Sequence, residues 1–391
     1  MACMNRRHLL ASALALPLGW SPLSRAAAGE EPGSSRTLVL LELGGGNDGL
    51  NSVVPYGDPG YYRARPRLAV ERDRVLQLDE SLGLNPALEP LMAAWEAGDL
   101  AAVLGVGYPR PNRSHFRSIE IWNTASASDE TLRDGWLQRA VMEAGGLPPG
   151  LGDLGVVLGG PAGPLAGTGL TTLVMKDQRQ LKAAARLLDG KGAQSPNPAL
   201  DHILAVRRQA QAASGRIEAK LAAAAPLKTD FPKTALGRQL QLAATLIASA
   251  APAAVIKVQQ GGYDTHAGQA GQHPRLLGDL AACLSAFRRA LLEAGAWQRC
   301  LVMTYAEFGR RVQENASGGT DHGTAAPHFL MGGSVSGGLY GRQPSLGDLE
   351  GGDLRHSVHF RQLYATAAQG FLGLPASPGA FGGHRPLTVF A

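Results

Sequence analysis

The sequence QGGYDTHAGQAGQH, at residues 260–273, follows a short apolar run at 254–258 and precedes a long helical pattern. This order predicts a strand that ends in a Gly-Gly turn and then enters a helix. The turn does not need Asp264, His266 and His273 for packing, whereas Asp and His are good ligands for a divalent metal. Open α/β sheets bind ligands beyond the carboxyl ends of their strands. Polar residues at other strand ends are therefore expected to meet these side chains at one place.

Apolar runs and helical spacings alternate along the rest of the chain. The runs are typical of strands buried on both faces, and they lie at 37–43, 100–106, 154–160, 254–258, 300–304 and 328–332. Helical spacing of apolar residues occurs at 85–98, 197–224, 233–250, 274–294 and 358–372. This alternation predicts an α/β fold with a doubly wound, mainly parallel sheet flanked by helices.

The first 28 residues are predicted to be a twin-arginine signal peptide. Arg6 and Arg7 precede a mildly apolar segment at 9–20, and residues 26–28 form an Ala-Ala-Ala cleavage site. A membrane anchor is the alternative reading, but the apolar segment is too short to span a bilayer. The pattern predicts export by the twin-arginine machinery, to the periplasm or outside the cell, without stable membrane insertion.

Residues 29–36 are predicted to be a linker, and 37–391 a single α/β domain with a helical excursion near 197–250. Without the three arginines of the signal peptide, 34 basic and 32 acidic residues remain, a formal charge of +2. A nearly neutral chain gives no electrostatic reason to expect nucleic acid or a membrane surface as a partner. Cys283 and Cys300 have the setting of buried small hydrophobes, and a disulfide between them remains open.

Polar and ionisable residues follow most of the predicted strands. They are Asn47, Asp48, Arg113, Ser114, His115, Arg117, Asp264, His266, His273, Glu307, Arg310, Asp321, His322 and His328. Carboxylates and imidazoles together suit Zn, Mn, Fe or Mg, and this set is large enough for one or two ions. In two-metal hydrolysis the ions stabilise the attacking and leaving oxygens, and a serine beside one of them becomes a usable nucleophile.

The predicted metal ligands are Asp48, Asp264, His266, His273, Glu307, Asp321 and His322. The predicted catalytic residues are Ser114, as candidate nucleophile, with His115 and Arg113. Each role has a structural alternative. Asp48 is also a suitable turn residue, Ser114 a suitable helix cap and His273 a suitable solvated residue at a helix start.

The carboxylates after the later strands have structural alternatives of their own. Glu307 precedes Arg310 by three residues, and the two could form an ordinary ion pair. Asp321 precedes His322, and a carboxylate commonly orients a neighbouring histidine without binding a metal itself. The sequence alone leaves both alternatives open.

Five motifs spread over nearly the whole mature chain resemble those of a secreted bacterial family, domain of unknown function 1501. They are LGGGNDGLN at 43–51, NRSHF at 112–116, GGYDTHAGQ at 261–269, EFGR at 307–310 and GTDHGTA at 319–325. That family resembles the alkaline phosphatase and sulfatase superfamily. The resemblance implies a metal-dependent hydrolase scaffold. On it, Asp48 would be the metal carboxylate of the first strand, Ser114 the nucleophile, and Glu307 and His322 later metal ligands.

The chain departs from that superfamily in its expected ligands. Asp264 and His266 would match a metal-binding Asp and His that the superfamily separates by three residues, but here one residue lies between them. Glu307 and Phe308 stand where the superfamily has Asp and His, and Asp321 is additional. The sequence therefore supports two hypotheses. One is an exported metallohydrolase acting on a small-molecule or polymer ester of phosphate or sulfate, and the other is a catalytically degenerate relative that binds a ligand or partner in the cell envelope.

Overall fold

The computed structural model describes residues 35–176 and 197–390. The predicted signal peptide and most of the predicted linker lie outside the described residues. The strands are β1 (Thr37–Gly44), β2 (Val53–Val54), β3 (Leu76–Gln77), β4 (Gly83–Leu84), β5 (Leu100–Gly107), β6 (Leu154–Val157), β7 (Thr171–Val174), β8 (Ala253–Gly261), β9 (Cys300–Tyr305), β10 (Ala326–Gly332), β11 (Gly338–Tyr340), β12 (Leu349–Glu350), β13 (Asp353–Leu354) and β14 (Val358–His359). The helices are α1 (Pro59–Ala64), α2 (Met92–Glu96), α3 (His115–Thr124), α4 (Trp136–Glu143), α5 (Pro198–Ala223), α6 (Ala235–Ala248), α7 (Gln269–Glu293), α8 (Phe360–Ala365) and α9 (Pro378–Phe381).

Nine of the described strands form one sheet, in the order β11-β5-β10-β9-β1-β8-β6-β7, with β14 beside β5. β10 runs antiparallel to β5 and β9, and the other pairs in this sheet are parallel. Two small sheets, β2-β4-β3 and β12-β13, lie apart from it. The predicted fold class, a mainly parallel α/β sheet, is confirmed.

Strand β1 shows why its sequence is apolar at nearly every position. Val39 and Leu41 belong to the core cluster that contains the buried faces of α6 and α7. Leu38 and Leu40 belong to the opposite cluster, which contains those of α3, α4 and α8. Successive side chains of a strand point to opposite faces of the sheet, so helices on both faces bury all of them.

Helix α7 begins at Gln269, five residues before the predicted start at Pro274. Proline is favoured at the first position of a helix, which is why the sequence predicts the later start. Pro274 instead lies inside the helix, where it removes one backbone hydrogen bond. Gln269 and His273 are both fully buried, and their burial accompanies the earlier start. His273 is therefore a core residue and not a solvated one.

Other boundaries differ from the predictions for local reasons. The helix predicted at 85–98 is a 3-10 segment, Pro86–Leu91, followed by the short α2. Pro90 lies inside that segment and cannot donate the hydrogen bond of an α-helix. The last predicted helix is α8 followed by a π-helical turn at Thr366–Phe371. The edge strand β7 was not predicted, because its sequence is short and partly polar.

The carboxyl ends of several strands meet at one edge of the large sheet. Gly44 at the end of β1 pairs with Gly261 at the end of β8, and β9 ends beside β1. Val106 near the end of β5 pairs with Ala326 at the start of β10. The connections after β1, β5, β8 and β9 therefore all begin at this edge.

The two cysteines of the domain, Cys283 and Cys300, are buried and free. Burial raises the pKa of the Cys283 thiol to about 12. Among the described helices, none is long and apolar enough to cross a membrane.

Candidate metal centre

The turns that follow β1 and β8 pack directly against each other. Gly45 and Gly46 have φ angles of +113° and +74°, in the left-handed region that favours glycine. A Cβ atom on Gly45 would lie 2.5 Å from the backbone nitrogen of Asp264. The glycines after β1 therefore leave the space in which the turn after β8 holds Asp264 at the edge of the sheet.

The loop between β9 and β10 folds back and brings further polar residues to this edge. Arg310 and His322 form a backbone bridge across the loop. The N–H of Thr320 donates to the carbonyl oxygen of Thr265 over 3.2 Å. This bond ties the loop to the turn that carries Asp264.

Three imidazole rings converge on one oxygen of Asp264. Its Oδ1 lies 3.1 Å from Nε2 of His266, 3.2 Å from Nε2 of His322 and 3.4 Å from Nε2 of His115. One ligand atom each from His115, Asp264 and His322 lie within 4.8 Å of one another. We call these four residues the His–Asp cluster. It draws on the connections after β5, β8 and β9.

Each imidazole of the His–Asp cluster is held from behind by a hydrogen-bond acceptor at Nδ1. The pairs are His115 with Oε1 of Glu307 at 2.8 Å, His266 with Oδ1 of Asp321 at 3.0 Å, and His322 with the carbonyl oxygen of Arg113 at 2.8 Å. An acceptor at Nδ1 favours the tautomer that carries its hydrogen there. Three Nε2 lone pairs therefore face into the cluster.

These lone pairs have too few hydrogen-bond donors around them. The Nε2 atoms of His266 and His322 are 2.9 Å apart, and in this tautomer neither carries a hydrogen. Nε2 of His115 is buried and has no hydrogen-bond partner. Leaving a buried acceptor unsatisfied costs roughly 1–3 kcal/mol. A divalent cation between the ligand atoms of His115, Asp264 and His322 would satisfy all three, and Nε2 of His266 lies beside two of these atoms, so the residues present fit a metal.

Arg310 places a positively charged guanidinium next to the His–Asp cluster. Its side chain is fully buried, and it donates to the carbonyl oxygens of Gly46 at 2.7 Å and Tyr263 at 3.0 Å. It also donates to Oδ1 of Asp264 over 2.7 Å. Desolvation would raise the pKa of Asp264, but the Arg310 guanidinium outweighs it and the pKa falls to about 2. Asp264 is therefore anionic at any physiological pH.

The ring of His322 is neutral for an electrostatic reason. Burial lowers its pKa below the usual value for histidine, and the hydrogen bonds that the protonated ring would donate to the carbonyl oxygen of Arg113 and to Asp264 only partly oppose that effect. A neutral imidazole is the form that binds a metal. His322 is therefore in its ligand form at neutral pH.

Phe308 forms one wall of the His–Asp cluster. Its ring centroid lies 4.9 Å from that of His115 and 4.6 Å from that of His322. The residue is buried. It contributes packing where the family resemblance implies a histidine, so the histidines of this site come from other positions.

Glu307 and Asp321 were predicted as direct ligands, and the structure places them behind the rings of His115 and His266. Oε1 of Glu307 also accepts a hydrogen bond from the N–H of Gly45 over 2.9 Å. Within the described residues, neither carboxylate forms the alternative pair with its sequence neighbour. The imidazoles of His115 and His266 lie between these carboxylates and Asp264. The carboxylates are therefore placed to fix the orientation of the rings.

Asp48 was also predicted as a ligand, and its partners lie elsewhere. The carboxylate is buried and its Oδ2 lies 2.5 Å from the guanidinium of Arg65, with Gln269 donating to the same oxygen. Desolvation would raise the pKa of Asp48, but the buried Arg65 outweighs it and holds the pKa below its usual value. Asp48 is thus half of a buried ion pair, which the sequence did not indicate because Arg65 lies in an irregular segment.

His273, the remaining predicted ligand, belongs to the same buried network as Asp48. Its Nε2 lies 2.9 Å from Oδ1 of Asn47. Complete burial lowers its pKa to about 4, so the ring is neutral. The structure brings His273 to the first-strand turn and not to the His–Asp cluster, because it lies inside α7.

Ser114 lies at the N-cap position of α3, immediately before His115. The side chain of Ser114 is exposed and makes no capping hydrogen bond. Its backbone N–H donates to Oδ1 of Asn112 over 2.8 Å. The sequence left open whether Ser114 caps the helix, and its hydroxyl does not do so.

A comparison with protein families finds one match over most of the chain. The family described as Protein of unknown function (DUF1501) matches residues 35–374. The chain belongs to this family. The family resemblance predicted from the five motifs is therefore confirmed. No curated protein matches this DUF1501 chain.

Several solved structures are distantly similar to this DUF1501 chain. One is a protein in the alkaline phosphatase superfamily from Vibrio parahaemolyticus, with a TM-score of 0.39, 11% identity, and coverage of 92% of this chain and 71% of that chain. The C-terminal periplasmic domain of EcEptC from Escherichia coli has a TM-score of 0.39, 10% identity, and coverage of 88% and 84%. The alkaline phosphatase from the Antarctic bacterium TAB5 has a TM-score of 0.34, 12% identity, and coverage of 78% and 95%. The residues of the site, and not these distant likenesses, carry the functional proposal.

Proposed function

We propose that this chain is an exported, metal-dependent hydrolase of a phosphate or sulfate ester, with Ser114 as its nucleophile. One observation carries the proposal. Three Nε2 lone pairs and Oδ1 of Asp264 meet at one place, and each imidazole is fixed from behind at Nδ1. Such a set of oriented ligands is what a metal site requires. The substrate would be a small-molecule or polymer ester.

The donor set favours a single ion of the zinc type. Three imidazole nitrogens and one carboxylate oxygen are ordinary ligands of Zn²⁺, and Fe²⁺ and Mn²⁺ follow, whereas Mg²⁺ prefers oxygen ligands. Among the described residues, Asp48 belongs to no group of three or more ligand atoms that could hold an ion, and it is therefore poorly suited to hold a second one. We propose one ion, held by the His–Asp cluster, in place of the one or two that the sequence leaves open.

A bound divalent ion would polarise an ester oxygen and stabilise the negative charge that develops during cleavage. The chain would supply the remaining functions. Glu307 and Asp321 would keep the rings of His115 and His266 in position. The side chains of Asp264 and His266 are 46% and 42% exposed, so an ester can approach the cluster from solvent.

Ser114 would form the covalent bond to the substrate. Its exposed hydroxyl is not used as a helix cap, and the next residue, His115, belongs to the His–Asp cluster. Attack would form a bond from the serine oxygen to phosphorus or sulfur and break the bond from that atom to the leaving oxygen. The serine proton would pass through solvent to the leaving oxygen, which departs as an alcohol. Water would then hydrolyse the serine ester.

The twin-arginine machinery would be the export partner of this protein. Arg6 and Arg7 precede the apolar segment of the predicted signal peptide, and this route is known for carrying folded proteins. The metal could then be bound before export. The site of action would be the periplasm or the medium outside the cell.

The test combines metal analysis with an ester panel. Protein purified without added metal is expected to contain about one divalent ion per chain, and to hydrolyse nitrophenyl phosphate or nitrophenyl sulfate. EDTA should abolish this activity and Zn²⁺ should restore it. Ser114→Ala should abolish turnover but retain the metal, whereas Ser317→Ala, an exposed serine on the loop after β9, should keep both. A metal-free protein that cleaves no ester after addition of Zn, Mn, Fe or Mg would contradict the proposal.

The second candidate is a catalytically inactive protein that binds a ligand or partner in the cell envelope. Phe308 favours it, because this residue packs on His115 and His322 where the resemblance implies a metal-binding histidine. The same experiment separates the two candidates. Retention of the metal without turnover of any ester would support the second one.

A further inference from the structure

Two buried hydroxyls lie between the loop that carries Ser114 and the segment that carries Glu307. Tyr108 directly follows β5 and is 6% exposed. Ser118 is the fourth residue of α3 and is fully buried. We call Tyr108 and Ser118 the hydroxyl pair. Buried hydroxyls need hydrogen-bond partners, and the partners of this pair show which parts of the site it connects.

The hydrogen bonds of the hydroxyl pair run in one direction. The hydroxyl of Ser118 donates its one hydrogen to the carbonyl oxygen of Glu307. Towards the hydroxyl of Tyr108, 2.9 Å away, Ser118 can therefore only accept, so Tyr108 is the donor. The phenol oxygen of Tyr108 in turn accepts from the backbone N–H of Asn112 over 3.1 Å. The pair thus joins the backbone of Asn112 to the backbone of Glu307.

Both ends of this connection reach the candidate metal centre. Oδ1 of Asn112 accepts from the N–H of Ser114 over 2.8 Å, and His115 is the next residue. At the other end, Oε1 of Glu307 lies 2.8 Å from Nδ1 of His115. His115 is therefore held from two directions, through the turn before it and through the carboxylate behind its ring.

Burial makes the hydroxyl pair rigid and keeps it neutral. Desolvation raises the pKa of Tyr108 above its usual value, so the phenol retains the hydrogen that it donates. A hydrogen bond lost away from water leaves its partner unsatisfied. The ring of Tyr108 packs edge-on against Phe360, with centroids 5.5 Å apart. A phenylalanine at position 108 would keep this packing and remove the hydroxyl alone.

We infer that Tyr108 and Ser118 are positioning residues, which hold the nucleophile Ser114 and the pair of His115 and Glu307 in one fixed arrangement. The inference rests on the proposed function, because it assigns these hydroxyls to a metal ligand and a nucleophile. Neither hydroxyl touches the reacting atoms, and both act through Asn112 and Glu307.

The first experiment measures the Zn²⁺ affinity of the full chain by competition with a chelating dye. Loss of the partner behind a metal ligand typically costs roughly 10- to 100-fold in affinity, and Tyr108 lies further out. We therefore expect Tyr108→Phe to weaken Zn²⁺ binding by roughly three- to tenfold. Ser118→Ala removes the hydrogen bond to Glu307 itself and should weaken binding more.

Tyr340→Phe is the matched control for loss of a phenol hydroxyl. The hydroxyl of Tyr340 also donates to a carbonyl oxygen, that of Ser336, over 2.6 Å. Tyr340 lies on the edge strand β11 and makes no contact with the hydroxyl pair. This variant should keep the wild-type Zn²⁺ affinity. Urea unfolding of both tyrosine variants shows whether they differ in stability.

A double-mutant cycle separates positioning from a general loosening of the fold. If the hydroxyl pair acts through Glu307, then Tyr108→Phe should change the Zn²⁺ affinity of Glu307→Ala by about twofold or less. A general loosening would weaken binding by the same factor in both backgrounds and would overturn the inference. If Tyr108→Phe does not fold, Ser118→Ala replaces it in the cycle.

The second experiment tests the nucleophile in the zinc-loaded protein. With nitrophenyl phosphate or nitrophenyl sulfate and saturating Zn²⁺, we expect Tyr108→Phe to lower kcat by roughly tenfold and to leave KM nearly unchanged. The reason is that a small displacement of Ser114 misaligns the attack without removing a contact that binds the ester. Tyr340→Phe should keep both constants.

The outcomes separate this inference from the proposed function. Wild-type Zn²⁺ affinity and kcat in both Tyr108→Phe and Ser118→Ala would overturn the inference and leave the hydrolase intact. A wild-type protein that binds Zn²⁺ but cleaves no ester would overturn the proposed function and the positioning of Ser114. Weaker Zn²⁺ binding in Tyr108→Phe that disappears in the Glu307→Ala background would then still support the positioning of His115. A wild-type protein that binds no Zn²⁺ would overturn both.

Discussion

Asp264 combines two roles that the sequence could not separate. It is the carboxylate on which three imidazoles converge, and it is also the anionic partner of the buried Arg310. Its replacement would therefore remove a ligand of the proposed metal, and it leaves a buried guanidinium with carbonyl partners only. Both effects lower stability, but only the first depends on the metal.

We expect Asp264→Ala to lower the melting temperature more in Zn²⁺ than in EDTA. A bound ion stabilises only the folded state, by RT ln(1 + [L]/Kd), and the variant loses most of that contribution. In EDTA a smaller difference should remain, roughly 1–3 kcal/mol, because Arg310 has lost its carboxylate. Melting curves of wild type and variant, with Zn, with Mn and with EDTA, measure both parts.

Asp230→Ala, an exposed aspartate between α5 and α6, is the control for loss of one negative charge and should behave like wild type. If EDTA leaves the wild-type curve unchanged, and Asp264→Ala is equally destabilised in every condition, then Asp264 is structural and the His–Asp cluster binds no metal.

Glu307 should act on the metal through His115. Removal of the acceptor at Nδ1 lets the ring change tautomer and orientation, so Glu307→Ala is expected to weaken Zn²⁺ binding by roughly 10- to 100-fold. Glu307→Gln keeps an oxygen at that position and should recover most of the affinity. Competition titration with a chelating dye measures the dissociation constants. Equal losses in the two variants would mean that the carboxylate charge, and not ring orientation, is what matters.

Among the elements, the close approach of the turns after β1 and β8 has the largest effect on the site. Gly45 adopts a positive φ, and its Cβ would overlap the backbone of Tyr263 and Asp264. A residue with a side chain would be strained at this φ angle, and its Cβ would clash with the neighbouring turn. The turn after β1 is thus a structural requirement for the position of Asp264, although it supplies no ligand.

We expect Gly45→Ala to destabilise the protein by about 2 kcal/mol or more, because the left-handed conformation and the clash both oppose alanine. Its metal affinity should fall as well, since the turn after β8 must shift. Gly261→Ala is the matched control, because nothing lies within 4 Å of its Cβ position and it lacks a positive φ. Urea unfolding and metal titration of both variants test this. A fully stable Gly45→Ala would show that the two turns can separate without cost.

At the scale of the whole molecule, buried histidines link stability to pH. His273 is fully buried, and desolvation lowers its pKa to about 4 from the usual 6.5. Between these values the unfolded chain binds a proton that the folded chain does not. The stability contributed by neutral His273 is therefore complete above about pH 6.5 and is lost as the pH falls towards 4.

We expect the free energy of unfolding of the metal-free protein to fall between pH 6.5 and 4, by about 3 kcal/mol from His273 alone. His328, whose pKa burial also lowers strongly, should add to the loss. Urea unfolding in EDTA across this range measures the slope. His273→Gln should reduce the slope whatever its effect on stability at neutral pH. An unchanged slope would mean that His273 becomes charged without unfolding.

The sequence by itself determined the architecture and the edge on which the site lies. Apolar runs and helical spacings repeat with periods that follow from backbone geometry, so the order of the elements and the fold class could be predicted. Because the carboxyl ends of parallel strands share one edge, Asp264, His266 and His322 could be expected at one place. The features that depend only on the strand and helix periods, namely the type and order of the main elements, could therefore be predicted from the sequence.

Only the tertiary structure decided which polar group meets which. Asp48 pairs with Arg65, 17 residues away, His266 with Asp321, 55 residues away, and His115 with Glu307, 192 residues away. No local pattern encodes these pairs, because a hydrogen bond is made or lost over less than 1 Å and that distance depends on the path of every loop between the partners. The same reason applies to His273. The sequence predicts that α7 starts after this residue, whereas the helix starts four residues before it and His273 is buried in the core.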